Sequence, residues 1–118
     1  NIIFHGFLDN LDTLNYIATS VAVITATKLY EGQPTLLCEA SLLGVPSIFP
    51  DSGGIKEFFP EQYPLLYVPF DKNSLVGAIK KVEDKDIIKK TSIQSFEYIS
   101  TYLQEKKLMT NFQEIMND

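Results

Sequence analysis

The sequence predicts an α/β fold, a parallel β-sheet flanked by helices. Two observations carry this. Short apolar runs rich in β-branched residues alternate along the chain with longer helical patterns. The runs also lack the apolar–polar alternation of half-exposed strands, as expected of strands buried on both faces. Strand–helix–strand order makes the strands parallel and the crossovers right-handed.

The elements follow in order. Ile2-Ile3-Phe4, ended by Gly6, reads as a first buried strand. Asp9 or Asn10 then caps a helix through Leu11, Leu14, Tyr16, Ile17 and Ala18. Val21 to Ile24 reads as a second strand, followed by a polar loop over residues 25–33. Pro34 opens the next helix, at a position where its missing amide does no harm. That helix carries Leu36, Leu37, Glu39, Ala40 and Leu43 and stops at Gly44. Pro46 to Pro50 reads as a third strand, with a turn at Asp51-Ser52-Gly53-Gly54. A short helix from Ile55 to Phe59 ends at Pro60, and Leu65 to Val68 reads as a fourth strand.

From Asn73 onward the pattern is helical. Leu75, Val76, Ile79 and Val82 form one apolar stripe. Ile87, Ile88, Phe96, Ile99 and Leu103 predict a second helix, and Leu108, Phe112, Ile115 and Met116 a third. Phe96, Tyr98, Tyr102, Phe112 and Met116 read as core, some of them facing a further domain. No repeat or low-complexity linker divides residues 1–118, so they form one domain.

Composition excludes several classes. The chain has 118 residues, 45% of them hydrophobic and 21% charged, which rules out a disordered chain. A formal net charge of -5 argues against nucleic-acid binding, which needs a basic surface. All 10 basic residues are lysines, so no guanidinium fork can grip a phosphate. Cys38 is the single cysteine, which excludes an internal disulfide and agrees with a reducing, cytoplasmic setting. Neither a signal peptide nor an apolar run of spanning length is present. The chain opens at Asn1 and has methionine only at Met109 and Met116, so it is expected to be part of a larger protein.

In open parallel sheets, ligands bind outside the carboxyl ends of the strands. That rule selects the loops at 25–35 and 51–55. In the first, Gly32 permits close approach of a ligand to the backbone. The helix beginning at Pro34 leaves the Thr35, Leu36 and Leu37 amides unpaired in its first turn, at the positive end of the helix dipole. Such a helix end seats an anion. Glu31 and Glu39 bracket it with carboxylates that accept hydrogen bonds from hydroxyls. A phosphate seat between hydroxyl acceptors suits a nucleoside diphosphate sugar. Spacing alone leaves open that both glutamates are solvated surface residues.

Several short pieces follow one another along the chain: Phe4-His5-Gly6-Phe7-Leu8, Tyr16-Ile17-Ala18, Tyr30-Glu31-Gly32, Leu37-Cys38-Glu39-Ala40, Gly44-Val45-Pro46, Ser52-Gly53-Gly54 with Glu57, and Val68-Pro69 with Asp71. In this order and spacing, residues 2–82 of the 118 resemble the C-terminal half of group 1 retaining glycosyltransferases of the two-domain GT-B fold. The resemblance implies that residues 1–118 are a partial, Rossmann-like nucleotide-sugar-binding domain. Its first strands and the acceptor domain would precede Asn1. The family's Glu-x7-Glu motif falls on Glu31 and Glu39. By resemblance, Glu31 is the catalytic residue beside the donor sugar, and Glu39 binds the ribose hydroxyls. Gly32, Gln33, Pro34, Thr35 and Leu36 line the sugar and phosphate pocket.

The implied reaction moves a sugar from a nucleoside diphosphate to an acceptor with retention and without a metal. The acceptor is a saccharide, a lipid-linked glycan or a protein. The implied setting is the cytoplasm, with peripheral contact at the inner face of the membrane as a further reading of the lysines. Two departures stand out. The arginine and lysine that the family supplies to the diphosphate would lie before Asn1, and Lys28 occupies a position where relatives carry a small residue. By itself the chain is expected to be inactive. The alternative is a Rossmann-like docking or assembly module without catalysis.

Other residues have plainer readings. His5 is expected to be structural, and Cys38 a small buried hydrophobe. Gly53-Gly54 lacks the spacing of a dinucleotide loop. The paired lysines at 80–81, 89–90 and 106–107 sit among acidic residues, as on a solvated helix face.

Overall fold

A computed structural model of the chain describes residues 2–6, 8–25, 35–51 and 54–117, with side chains described to residue 105. Among these, helix α1 spans Asn10–Ala18, strand β1 Val23–Ile24, helix α2 Thr35–Leu42 and strand β2 Ser47–Pro50. A 3-10 turn covers Ile55–Phe58, followed by strand β3 at Leu66–Tyr67 and helices α3 at Lys72–Lys81 and α4 at Lys85–Asn117. The three strands pair in the order β1-β2-β3, and both pairings are parallel. Val23 is in register with Ser47, and Phe49 with Leu66. The predicted α/β class, a parallel sheet flanked by helices, is the observed one.

Local chemistry fixes the element boundaries. The Asp9 carboxylate caps α1 by accepting from the Asp12 amide at 2.8 Å, and Asp71 caps α3 by accepting from the Ser74 amide at 3.0 Å. Asp84 accepts from the Asp86 and Ile87 amides at the start of α4. Helix α2 ends in a Schellman motif. Gly44 takes φ +75°, the Val45 amide donates to the Ala40 carbonyl at 2.9 Å, and the Gly44 amide donates to the Ser41 carbonyl at 3.1 Å. Val45 and Ala40 also pack together with Ile17 in a small apolar cluster.

The main core sits around β2. Every β2 residue is buried, as the continuous apolar run predicts for a central parallel strand. Phe49, Phe59 and Tyr63 form an aromatic triangle with centroid separations of 4.4, 5.2 and 4.8 Å. Leu37 of α2, Ala78 of α3 and Ile99 of α4 close over this cluster.

Three expectations are corrected. Ile2-Ile3-Phe4 is not a buried strand. It forms no ladder with the described strands, and Phe4 is 93% exposed. An apolar run becomes a strand only where a partner strand takes up its backbone groups.

The second correction concerns the end of the chain. The two predicted helices are one continuous α4 of 33 residues. The segment contains no proline or glycine that would break it.

The third concerns which faces are buried. On α4 the buried stripe is Thr91, Ser95 and Ile99, whereas Phe96 and Leu103 are exposed. On α3 it is Ala78 with Leu75 and Val82, whereas Val76 and Ile79 face outward. Apolarity alone pointed to the larger side chains. Close helix packing instead selected small Thr, Ser and Ala at the contact. Of the other aromatic and apolar positions read as core, Tyr98 and Tyr102 are half-buried, and the side chains of Phe112 and Met116 lie outside the described set.

Candidate functional site

The carboxyl edge of the sheet is where the strand-edge rule places a ligand. There the three strands are tied together by one residue. The Tyr67 carbonyl, at the end of β3, accepts from the Asp51 amide at 2.8 Å, just past β2. The Tyr67 hydroxyl reaches across and donates to the Thr25 carbonyl at 2.9 Å, just past β1. The Thr25 amide donates in turn to the Ile48 carbonyl of β2 at 3.0 Å. Burial of the Tyr67 phenol raises its pKa, so it stays protonated and able to donate at neutral pH. Asp51 is also paired with Lys56 at 2.8 Å, on the exposed side of the edge.

Of the residues predicted to bind or react, Thr35, Leu36 and Glu39 are described, and all three lie on α2. Thr35 is the first residue of the helix and is exposed, and Leu36 is 42% exposed. Their amides belong to the first turn, which has no carbonyl one turn earlier in the helix to accept from it. Leu37 turns inward and anchors the helix to the core. Glu39, one turn further on, is half-buried, and its carboxylate has no hydrogen-bond or ion-pair partner among the described residues. Glu31, Gly32, Gln33 and Pro34 lie outside the described residues, as do Lys28, Ser52 and Gly53.

The neighbouring residues fall into plain roles. Cys38 has its pKa pushed up to about 11, first by burial and second by the Glu39 charge, so it is a protonated thiol at neutral pH and a poor nucleophile. His5 is exposed and its ring lies 4.3 Å from that of Tyr16, a surface role. Gly54 sits at φ -91°, which any residue can adopt. Among the described residues no cluster of three His, Cys, Asp or Glu side chains could hold a metal ion. Also among them, no helix is long and apolar enough to cross a membrane. Two shallow surface cavities lie along α4, around Lys90 and Ile93 and around Glu97 and Tyr98, and neither is lined by Thr35, Leu36 or Glu39.

Sequence reasoning missed Tyr67. Its only signal was a tyrosine at the end of a buried strand, where the hydroxyl must find a polar partner.

The chain matches no protein-family model and no curated protein. It is similar in structure to a sucrose-phosphate synthase from Thermosynechococcus elongatus, with a TM-score of 0.74 and 23% sequence identity. The alignment covers 96% of this chain and 30% of that one. The chain thus spans under a third of that protein and shares the α/β, Rossmann-like fold of the matched segment.

Proposed function

We propose that this chain is the donor-binding part of a retaining, group 1 glycosyltransferase that takes a nucleoside diphosphate sugar. The observation that supports this most is positional. Helix α2, whose exposed first turn holds Thr35 and Leu36 and which carries Glu39, is the next described element after the carboxyl end of β1, in a fold shared with a segment of a sucrose-phosphate synthase. In this reading the Thr35, Leu36 and Leu37 amides and the α2 dipole receive the diphosphate. Charge grows on the diphosphate as the sugar leaves, so dipoles already aimed at it lower the barrier without reorganising. Glu39 accepts from the ribose hydroxyls, and Glu31 stands beside the donor sugar. No metal takes part, and the diphosphate charge is balanced by amides and by basic residues outside this chain. The acceptor, a saccharide, lipid-linked glycan or protein, is held elsewhere in the full-length protein, which acts in the cytoplasm or at the inner membrane face.

The test is the kinetic split between the two glutamates in the full-length protein, followed by nucleotide release from a panel of UDP-, GDP- and ADP-sugars. Glu31→Ala is expected to lower kcat by about 100-fold or more, the scale of losing a group that acts in the transition state. Glu39→Ala is expected to raise the donor KM by about 10-fold, the scale of a hydrogen bond to a charged group. Wild-type kinetics in both variants would reject the assignment in favour of a non-catalytic docking module.

A further inference from the structure

The chain turns sharply where β3 ends. The Asp71 amide donates to the Val68 carbonyl at 3.1 Å, closing a turn with Pro69 and Phe70 at its centre. Phe70 takes φ +63°. Proline at the first central position and a left-handed residue at the second make a type II turn, whose second position favours glycine or asparagine. A bulky side chain there is a genuine outlier, held against its own backbone preference. Side chains of the same segment fix the turn. The Ser74 hydroxyl accepts from the Val68 amide at 2.8 Å, and the Asp71 carboxylate accepts from the Ser74 amide at 3.0 Å.

Burial does not offset that conformation. Phe70 is 82% exposed, and Val68 beside it is exposed as well. Gln62, at φ +59°, is the other described non-glycine residue with positive φ, but its side chain is polar and suited to water. Among the described residues, only Phe70 combines a left-handed backbone with a large apolar side chain in solvent. Strained positions of this kind gather at functional sites.

This turn lies on the carboxyl edge of the sheet, where ligands bind. The Asp51 amide, bonded to the Tyr67 carbonyl, sets the Asp51–Lys56 ion pair beside the end of β3. An apolar ring and a carboxylate–ammonium pair on one stretch of edge match a sugar. A pyranose offers an apolar C–H face together with hydroxyls that donate and accept.

We propose that Phe70 is a binding residue for the sugar of the donor, its ring stacked on the C–H face of the pyranose. This rests on the donor-binding reading. There the ribose lies at Glu39 and the diphosphate at the start of α2, so the sugar extends the other way along the edge, towards β2 and β3. From β1 to β3 is two strand spacings, about 10 Å, which a diphosphate and a pyranose together cover. The turn is closed before the ligand arrives, so little order is lost on binding.

The experiment measures binding to the full-length protein by titration calorimetry. The ligands are UDP-glucose, GDP-mannose and ADP-glucose, each against its own nucleoside diphosphate. Phe70→Gly removes the ring and suits the turn, Phe70→Tyr keeps the ring, and Gln62→Gly replaces the other left-handed residue. Phe70→Gly is expected to weaken the preferred nucleotide sugar by about 3- to 10-fold, the scale of one aromatic stack, and to leave its nucleoside diphosphate unchanged. Its melting temperature is expected not to fall. Phe70→Tyr and Gln62→Gly are expected to bind both ligands as wild type does. Wild-type affinity for the nucleotide sugar in Phe70→Gly would overturn the proposal. So would an equal loss for the nucleoside diphosphate, or the same loss in Gln62→Gly. A wild type that binds none of these nucleotides would instead sink the donor reading, and this proposal with it.

Discussion

The Tyr63 hydroxyl accepts from the Ser47 amide at 3.0 Å and donates to the Ser47 carbonyl, so one phenol satisfies both backbone groups of a fully buried residue. Ser47 is the first residue of β2, and its own backbone would otherwise be stranded in the core. Burial raises the Tyr63 pKa strongly, and the bond with the Ser47 backbone and the nearby Ser95 side chain oppose that rise. The phenol is therefore neutral throughout the physiological range.

Tyr63→Phe should destabilise the protein by about 1–3 kcal/mol, because it leaves a buried donor and acceptor unpaired while conserving the ring. Urea unfolding would measure this as a lower midpoint at an unchanged slope.

Ser47→Ala should go the other way. The Ser47 hydroxyl is buried and has no partner among the described residues, although its backbone is satisfied. Removing an unpaired buried hydroxyl is expected to be neutral or to stabilise by up to about 1 kcal/mol. The same urea experiment gives the sign. A loss above about 1 kcal/mol would mean that the hydroxyl has a partner.

Gly44→Ala should cost about 1–2 kcal/mol. A Cβ built at Gly44 meets nothing within 4 Å, so the cost is that of the left-handed backbone at φ +75° alone. Gly44→Asn should recover most of it, since asparagine tolerates this region. Thermal melts of the two variants check the order.

Cys38 should react slowly with alkylating reagents. A pKa of about 11 against the ordinary 9.0 lowers the thiolate fraction at pH 8 by about 100-fold. The linkage has a definite sign. The folded state holds its proton more tightly than the unfolded state, so this contribution to stability is full below pH 9.0 and is lost as pH rises towards about 11. Cys38→Ala should flatten the fall in melting temperature over that window.

The sequence announced the sheet because β-branched runs and their helical spacers obey different periods, and β2 is buried on every side. It announced the caps at Asp9 and Gly44 because those residues do local work that neighbours cannot change. It misplaced Ile2-Ile3-Phe4 because pairing depends on what lies beside a strand. It misplaced the inner faces of α3 and α4 because small residues at a helix contact, such as Ala78 and Ser95, carry little apolar signal. Thr35, Leu36 and Glu39 fall on α2 where helical spacing put them. The tie between Tyr67 and Thr25 could not be read, since its two ends are 42 positions apart and only the fold brings them together.

The central claim is that the start of α2 receives a diphosphate between two carboxylates. It is tested most directly by a crystal structure of the full-length protein with the nucleoside diphosphate that its preferred donor releases. Phosphate oxygens are expected about 2.7–3.2 Å from amides among Thr35, Leu36 and Leu37. The Glu39 carboxylate is expected on the ribose and Glu31 on the sugar side. A nucleotide bound elsewhere, a helix start filled by protein, or glutamates directed away from each other would contradict it.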